Sequence, residues 1–559
     1  MKQIILLLSA VLLLLSSCNQ ESAKARVEET PRTTSGRVFE LLSPDSTGVG
    51  FNNVLVEDEQ VNFFRFQYLY KGGGVAIGDI NNDGLSDIYF TGTVADDKLY
   101  LNKGNMEFED ITLPAGIQQG NGLKTGVTMV DINNDGMLDI YVCRSGWFNN
   151  PENRANLLYI NQGNNTFSEQ AIAYGLAETG NSVQAAFFDY DRDGDLDVYI
   201  TNHPLFHNLL QDMIYDEKHP TDRVRDKLYR NNGNNSYTEV SKEAGIYNYG
   251  HGLGLAVSDF NQDGWPDIYV ANDFEASDFY YINNGNGTFS EMSKVLTSHV
   301  SYFAMGSDAA DINNDGMLDL FVVEMLAEDN KRQKTNMAPM SPEKFWAMVR
   351  NDKHYQYMRN TLQLNNGRGN FLEIGYLSGL ANTDWSWAPL FADFDHDGRK
   401  DLAITNGYLR DTQDKDLWPS FNRKLESFAD IEPFMKSTRI QNYVFQNQGE
   451  YKFADVSEDW GFNFSGYSNG MAYGDLDNDG DLDLVVNNFN DPASVYRNTI
   501  SDRKVGHYLL VDLQGPEKNR NGLGTKLKLK TEKGEQFQEF WVSRGFESSC
   551  DQRVHFGIV

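Results

Sequence analysis

Short apolar segments of strand length recur along the chain, and between them stands one polar pattern of nine residues. GVAIG, GVTMV and GLGLAVS precede such loops, and IYF, IYV and VYI follow them. Apolar runs of about four to eight residues bounded by turn residues read as strands. The first loop is DINNDGLSD from Asp79, and six more begin at Asp131, Asp189, Asp259, Asp311, Asp393 and Asp475. Each hairpin is followed by a third strand ending in Asn: KLYLN, LLYIN, KLYRN, FYYIN, TLQLN, YVFQN and SVYRN. In the first six units a Gly-containing turn then leads to a fourth strand: FEDIT, FSEQA, YTEVS, FSEMS, FLEIG and FADVS. Four antiparallel strands repeated seven times predict an all-β fold, a seven-bladed propeller over 38–500. The seventh unit has no fourth strand of its own. VFELLSPDSTG at 38–48 stands unpaired ahead of the first loop and is expected to supply it, closing the ring and removing a sheet edge.

Aligning the seven loops separates ligand positions from bystanders. Positions 1, 3, 5 and 9 are Asp79, Asn81, Asp83 and Asp87 in the first loop and Asp131, Asn133, Asp135 and Asp139 in the second. They are Asp189, Asp191, Asp193 and Asp197 in the third, and Asp259, Asn261, Asp263 and Asp267 in the fourth. The fifth has Asp311, Asn313, Asp315 and Asp319, the sixth Asp393, Asp395, Asp397 and Asp401, and the seventh Asp475, Asp477, Asp479 and Asp483. Position 6 is always Gly, which suits a tightly turned backbone. Position 7 is Leu85, Met137, Asp195, Trp265, Met317, Arg399 or Asp481. These share no side-chain chemistry, so position 7 can contribute only its carbonyl oxygen. Four oxygen side chains, a carbonyl and water match Ca²⁺, which takes about 6–8 oxygens; Mg²⁺ holds its waters and fits less well. The first half of the pattern also matches an EF-hand loop. Position 12, where that loop needs Glu, is instead a strand residue from Phe90 to Val486. The reading is a strand–calcium loop–strand hairpin with about seven Ca²⁺ sites. The loops at Asp189, Asp393 and Asp475, with four acidic ligands rather than three, are expected to bind tightest.

D-x-[DN]-x-D-G-x-x-D between strands resembles the FG-GAP/VCBS repeats and is similar to the calcium-bearing blades of integrin α-subunit propellers. Downstream, Asn519-Arg520-Asn521-Gly522-Leu523-Gly524 and His555-Phe556-Gly557 resemble the UnbV/ASPIC module that follows such propellers in relatives of cartilage acidic protein. The resemblance implies a small C-terminal β domain over 505–559 and an extracytoplasmic, calcium-binding interaction protein, with no catalytic residue to carry over. Val559 stands where the module has Gly, so the module is expected to be truncated or completed differently.

MKQIILLLSAVLLLLSSC has a lysine, an apolar run too short for a comfortable membrane span, and Leu15-Ser16-Ser17 before Cys18. This reads as a signal peptide over 1–18. It resembles a bacterial lipoprotein signal that leaves Cys18 lipidated and the chain anchored at the outer membrane, on the periplasmic side or the cell surface. Residues 19–37 are polar and read as a tether. Cys143 and Cys550 remain, and two residues in different expected domains support no disulfide.

Charge narrows the partners. The chain carries 80 Asp and Glu against 48 Lys and Arg, a net charge of −32. Seven divalent ions would return fourteen charges and leave about −18. Such a surface repels phosphate backbones, which disfavours nucleic acid as a partner.

Strand alternation places all seven loops on one face and the long insertions, about 203–227, 324–360 and 406–442, on the other. The middle insertion has seven Lys/Arg against five Asp/Glu and carries Trp346, Tyr355 and Tyr357. TDWSWAP adds Trp385 and Trp387, and the third insertion adds Trp418. Loops on a rigid scaffold commonly carry recognition, and these aromatics are candidate contacts for an extracellular glycan or protein; the plainer reading is that they pack the insertions onto the blades. The alternative is a surface enzyme acting on glycans or peptides at this face. Its support is thin. The G-x-S-x-G at Gly466–Gly470 precedes a strand, not the helix of a nucleophile elbow, and His203, His207 and His219 match no metal template.

Overall fold

The computed structural model describes residues 36–117, 120, 122–204, 224–336, 341–416 and 427–558. Cys18, the signal, most of the tether, His207, His219 and Trp418 lie outside them. Arg37–Val559 forms one compact unit.

Seven blades of four antiparallel strands build the ring, six as four-stranded sheets and one, blade 1, enlarged to six strands. In blade 2 they are Leu123–Val130, Asp139–Ser145, Leu157–Asn161 and Phe167–Glu169. The first strand of every blade lies innermost and packs against its counterparts in the neighbouring blades, and these strands are buried along almost their whole length. Both faces of an inner strand meet other blades, which explains their near-continuous apolar runs. The expected closure is present. Phe39–Leu42 pairs antiparallel with Ser494–Asn498 as the outer strand of blade 7. A one-turn helix, Pro44–Thr47, follows it. The fourth strands of blades 2–6 are followed by one-turn helices in the same way.

The small C-terminal β unit is also present, in an unexpected position. His507–Val511 pairs with Val554–Ile558, and Lys526–Thr531 with Gly534–Glu539. This unit does not stand apart from the ring. It sits on the loop face, and its segment Ser543–Ser549 enters the central channel and joins the sheet of blade 1, where Ser549 pairs in parallel with Ala76. Ser543 Oγ donates to the Ala185 carbonyl of blade 3, and the Ser307 N–H of blade 5 donates to the Gly545 carbonyl. The Val127 N–H of blade 2 donates to the Glu547 carbonyl, and the Asp551 N–H to the Tyr473 carbonyl of blade 7. At the tip, Glu547 pairs with Lys71 at 2.6 Å, both fully buried. The approach is so close that a Cβ on Gly74 would lie 1.7 Å from the Glu547 carbonyl oxygen, which accounts for glycine there.

Candidate metal loops and the opposite face

All seven loops fold alike. Position 4 adopts the left-handed region with φ of 57–60°, and the position-6 glycine has φ of 80–96°. Only the glycine was evident in the sequence. Position 4 is Asn four times but also Arg192, Gln262 and His396, and Asn is the type that most readily tolerates this conformation. The turn folds the backbone N–H groups of positions 5 and 6 onto the position-1 carboxylate at 2.7–3.2 Å in six loops; in the seventh, Asp475 accepts only from Gly480. The position-7 N–H donates to the position-5 carboxylate at 2.8–3.2 Å in every loop. That leaves the position-7 carbonyl as its remaining backbone ligand group.

The position-9 carboxylate is held from two sides. One oxygen accepts the position-2 N–H at 2.8–3.2 Å. The other accepts, at 2.7–2.9 Å, the N–H of the Asn that ends the third strand: Asn102, Asn161, Asn231, Asn283, Asn365, Asn447 or Asn498. In six of these the side-chain amide also donates, at 2.8–2.9 Å, to the position-2 carbonyl of a neighbouring loop, and Asn102 reaches Leu476 to join blade 1 to blade 7. Asn231 turns to Tyr237 Oη instead. These asparagines stand at the end of every third strand in the sequence. Their role as clips between blades needed the ring to be closed before it could be seen.

Carboxylates so placed strain against burial. Burial pushes Asp87, Asp139 and Asp267 up to about 8 and Asp197 up to about 9. Asp319, Asp401 and Asp483 are likewise raised well above the usual carboxylate range, again first by burial. Oxygens of Asp189, Asp191 and Asp197 lie within 4.8 Å of one another, as do those of Asp393, Asp395 and Asp401 and of Asp475, Asp477 and Asp483. Among the described residues, Asp475 Oδ1 is buried with no hydrogen-bond partner. Hard oxygen donors converging from positions 1, 3 and 9, with position 5 and the position-7 carbonyl beside them, fit a divalent cation of the Ca²⁺ type. Some loops already hold a cation nearby. Arg497 meets Asp477 at 2.8 Å and Asp479 at 3.1 Å, Arg399 pairs with Asp397, and Lys518 meets Asp195 at 3.2 Å. Lys526 of the C-terminal unit pairs with Asp259. The three loops with an extra acidic ligand are thus also loops with a basic side chain on them, which offsets the charge behind their expected advantage.

On the opposite face, the middle insertion forms the helices Asn330–Asn336 and Pro342–Arg350 and the short strand Gln356–Tyr357. Phe345 gathers Trp346, Tyr355 and Tyr357 around it at ring distances of 5.2, 6.2 and 5.6 Å. Trp346 is 51% exposed, and both tyrosines are exposed as well. Arg359 lies over Tyr357. Trp385 and Trp387 depart from the expected exposed set. They are only 7% and 2% exposed, because TDWSWAP enters the innermost strand of blade 6, Ser386–Ala392. Trp387 packs on Phe546 of the C-terminal segment at 5.0 Å, and Trp385 stacks on Tyr408 at 3.9 Å. His203 is buried beside Tyr68. Ser468, the serine of G-x-S-x-G, opens an inner strand and donates to Asn488.

The fold and its loops define a class: a seven-bladed propeller whose blades each carry a carboxylate turn suited to a cation. The FG-GAP-like repeat pattern matches residues 74–142, 147–200, 221–270, 259–322, 342–404 and 437–486, and the chain belongs to that family. The ASPIC and UnbV pattern matches 515–559. Cartilage acidic protein 1 of Mus musculus is 27% identical over 220 residues, covering 39% of this chain and 31% of that protein. The Homo sapiens protein is 26% identical over 222 residues, with the same shares. The chain thus matches about a third of the length of these curated relatives. Among solved structures, an Agrocybe aegerita lectin described for recognition of non-reducing terminal N-acetylglucosamine aligns at TM-score 0.36 and 16% identity, covering 71% of this chain and 86% of its own. AofleA from Arthrobotrys oligospora aligns at 0.34 and 10%, covering 71% and 88%. Likeness at these TM-scores says nothing about what this chain binds.

Proposed function

We propose that the chain is a calcium-binding propeller lipoprotein, anchored through Cys18 at the bacterial cell envelope, that binds an extracellular glycan or protein through its insertion face. The observation that carries this reading is the division of the two faces. The seven carboxylate turns and the C-terminal unit occupy one, which leaves the exposed cluster of Trp346, Tyr355 and Tyr357 on the other. Aromatic side chains beside an arginine offer stacking surface and hydrogen bonds to a sugar ring or a peptide. Calcium has a structural part here: it neutralises buried carboxylates and holds the loop face rigid. Glycan and peptide arrays probed with purified protein, with product analysis of each hit, test the reading. Binding that survives Asp475→Ala and is lost in Trp346→Ala supports it. Turnover of a hit would favour the surface-enzyme alternative, and Trp346→Ala binding every hit unchanged would remove the insertion face. Labelling with a radioactive fatty acid, lost on Cys18→Ser, tests the anchor.

A further inference from the structure

The tip of the channel segment makes one contact that an ordinary ion pair explains poorly. Lys71 Nζ and Glu547 Oε1 lie 2.6 Å apart, and neither side chain has any exposed surface. The contact lies off the direction that a hydrogen bond requires. Among the described residues, neither Lys71 Nζ nor either carboxylate oxygen of Glu547 has a hydrogen-bond partner. An ammonium carries three N–H donors. An ion pair taken out of water repays its desolvation only when hydrogen bonds meet the remaining donors and lone pairs. Here they do not.

Both backbones hold the two side chains to this contact. Glu547 has φ of 54°, the left-handed region that residues other than glycine rarely adopt. Its N–H donates to Gln184 Oε1 at 3.2 Å, and its carbonyl accepts from the Val127 N–H at 3.0 Å. Lys71 ends the short turn Leu69–Lys71, and Gly72 after it has φ of 87°. Backbone strain that the surroundings enforce clusters at positions with a chemical task. Burial lowers the Lys71 ammonium from its ordinary value and pushes Glu547 up to about 7, so each group is drawn towards its neutral form. Two neighbouring groups sense the pair: burial keeps the Cys143 thiol protonated and His203 neutral. A cavity of about 30 Å³ has Lys71 in its wall, room for a single water.

We propose that Lys71 and Glu547 condense to an amide, a covalent cross-link that fastens the C-terminal segment inside the ring. A proton passes from the ammonium to the carboxylate, leaving an amine and a carboxylic acid. The Nζ lone pair then attacks the carboxyl carbon. The N–C bond forms, a C–O bond breaks, and the hydroxyl departs with an amine proton as water. No oxidant or cofactor enters the balance. Groups held in contact react as though at very high concentration, and the dry surroundings oppose the reverse hydrolysis. A link between positions 71 and 547 spans almost the whole propeller, and a cross-link across so long a loop restricts the unfolded chain strongly. The inference stands apart from the surface-capture reading, because it concerns how the chain is held together and needs no partner.

The test is mass spectrometry of the full chain, purified in its folded state, then denatured and digested with trypsin. Trypsin does not cut after an acylated lysine. The cross-link should therefore yield a branched peptide, 66–98 joined to 545–553, lighter than the sum of the two by one water. An unlinked chain releases 66–71, 72–98 and 545–553 separately, and finding only these would overturn the proposal. Lys71→Met should return 545–553 unbranched. A branched 545–553 in that variant would put the link on another lysine and overturn the proposal as well. The first readout uses the unmodified chain, so a variant that misfolds does not decide the outcome.

Discussion

The loop face and the insertion face are built from the same strands by opposite means. On the loop face, one nine-residue turn recurs seven times. It is locked to its neighbours by asparagine clips and overlaid by a C-terminal unit that sends Arg544 and Glu547 into the channel. Among the described residues of the insertion face nothing repeats: the middle insertion is helical, the N-terminal segment 51–71 crosses towards the axis, and the aromatic clusters occur once each. Repetition makes each loop a contributor of the same kind to the ring, so stability is shared. Singular features can change without disturbing the ring, which is why recognition is assigned to them.

The largest expected effect is metal removal. EDTA should lower the melting temperature far more than matched salt does, because each site bound only in the native state adds up to about 2.7 kcal/mol at hundredfold saturation. Plasma emission spectrometry of the dialysed protein should find about seven Ca²⁺ per chain. Two or fewer would reduce the loops to ordinary turns and dissolve the contrast between the faces.

Next comes the C-terminal segment. Arg544 pairs with Asp308 at 2.6 Å inside the channel, and Arg544→Ala leaves that carboxylate buried and unpaired. Removing one partner of such a pair costs about 3–5 kcal/mol, to be read by urea unfolding. A change below about 0.5 kcal/mol would mean that the segment rests on the ring without bracing it.

The clips are expected to matter less. Asn102→Ala deletes the donor to Leu476 across the closing seam and to Ser86 in its own loop, at about 1–3 kcal/mol. Asn231→Ala lacks the cross-blade bond and should cost less. Equal losses would show that the asparagines serve only their own loops.

A pH series sharpens the same point. In metal-free protein the position-9 carboxyls Asp87, Asp139 and Asp267 have folded-state pKa values raised from 3.8 to about 8 by burial. The folded state therefore holds the proton more tightly than the unfolded one. That stabilisation is complete below about pH 4 and is lost as pH rises through about 8. EDTA-treated protein should lose stability across this window, and calcium should flatten the slope by replacing the proton. Parallel slopes with and without calcium would count against metal at position 9.

The smallest effect on stability belongs to the insertion face. Trp346→Ala should shift unfolding by no more than about 0.5 kcal/mol while abolishing capture of the partner. A large loss of stability would make the aromatic cluster a structural prop.

The sequence by itself determined the repeat, the blade count, the closing strand and the recurring carboxylate turn, because each is written in a local period. Alternation of two fixes strand faces, and a nine-residue turn carries its own donors and acceptors. VFELL could be assigned to blade 7 from the missing strand alone. What only the tertiary structure decided depends on residues far apart in the chain. The left-handed position 4, filled by Arg192, Gln262 and His396 as well as Asn, follows from the closed turn and not from side-chain type. The asparagine clips exist only once blades stand side by side. Trp385 and Trp387 look like surface aromatics in a link, but they face an axis that exists only when seven inner strands meet. Ser543–Ser549 sits in a channel that no local pattern announces, since its partners come from several blades at once.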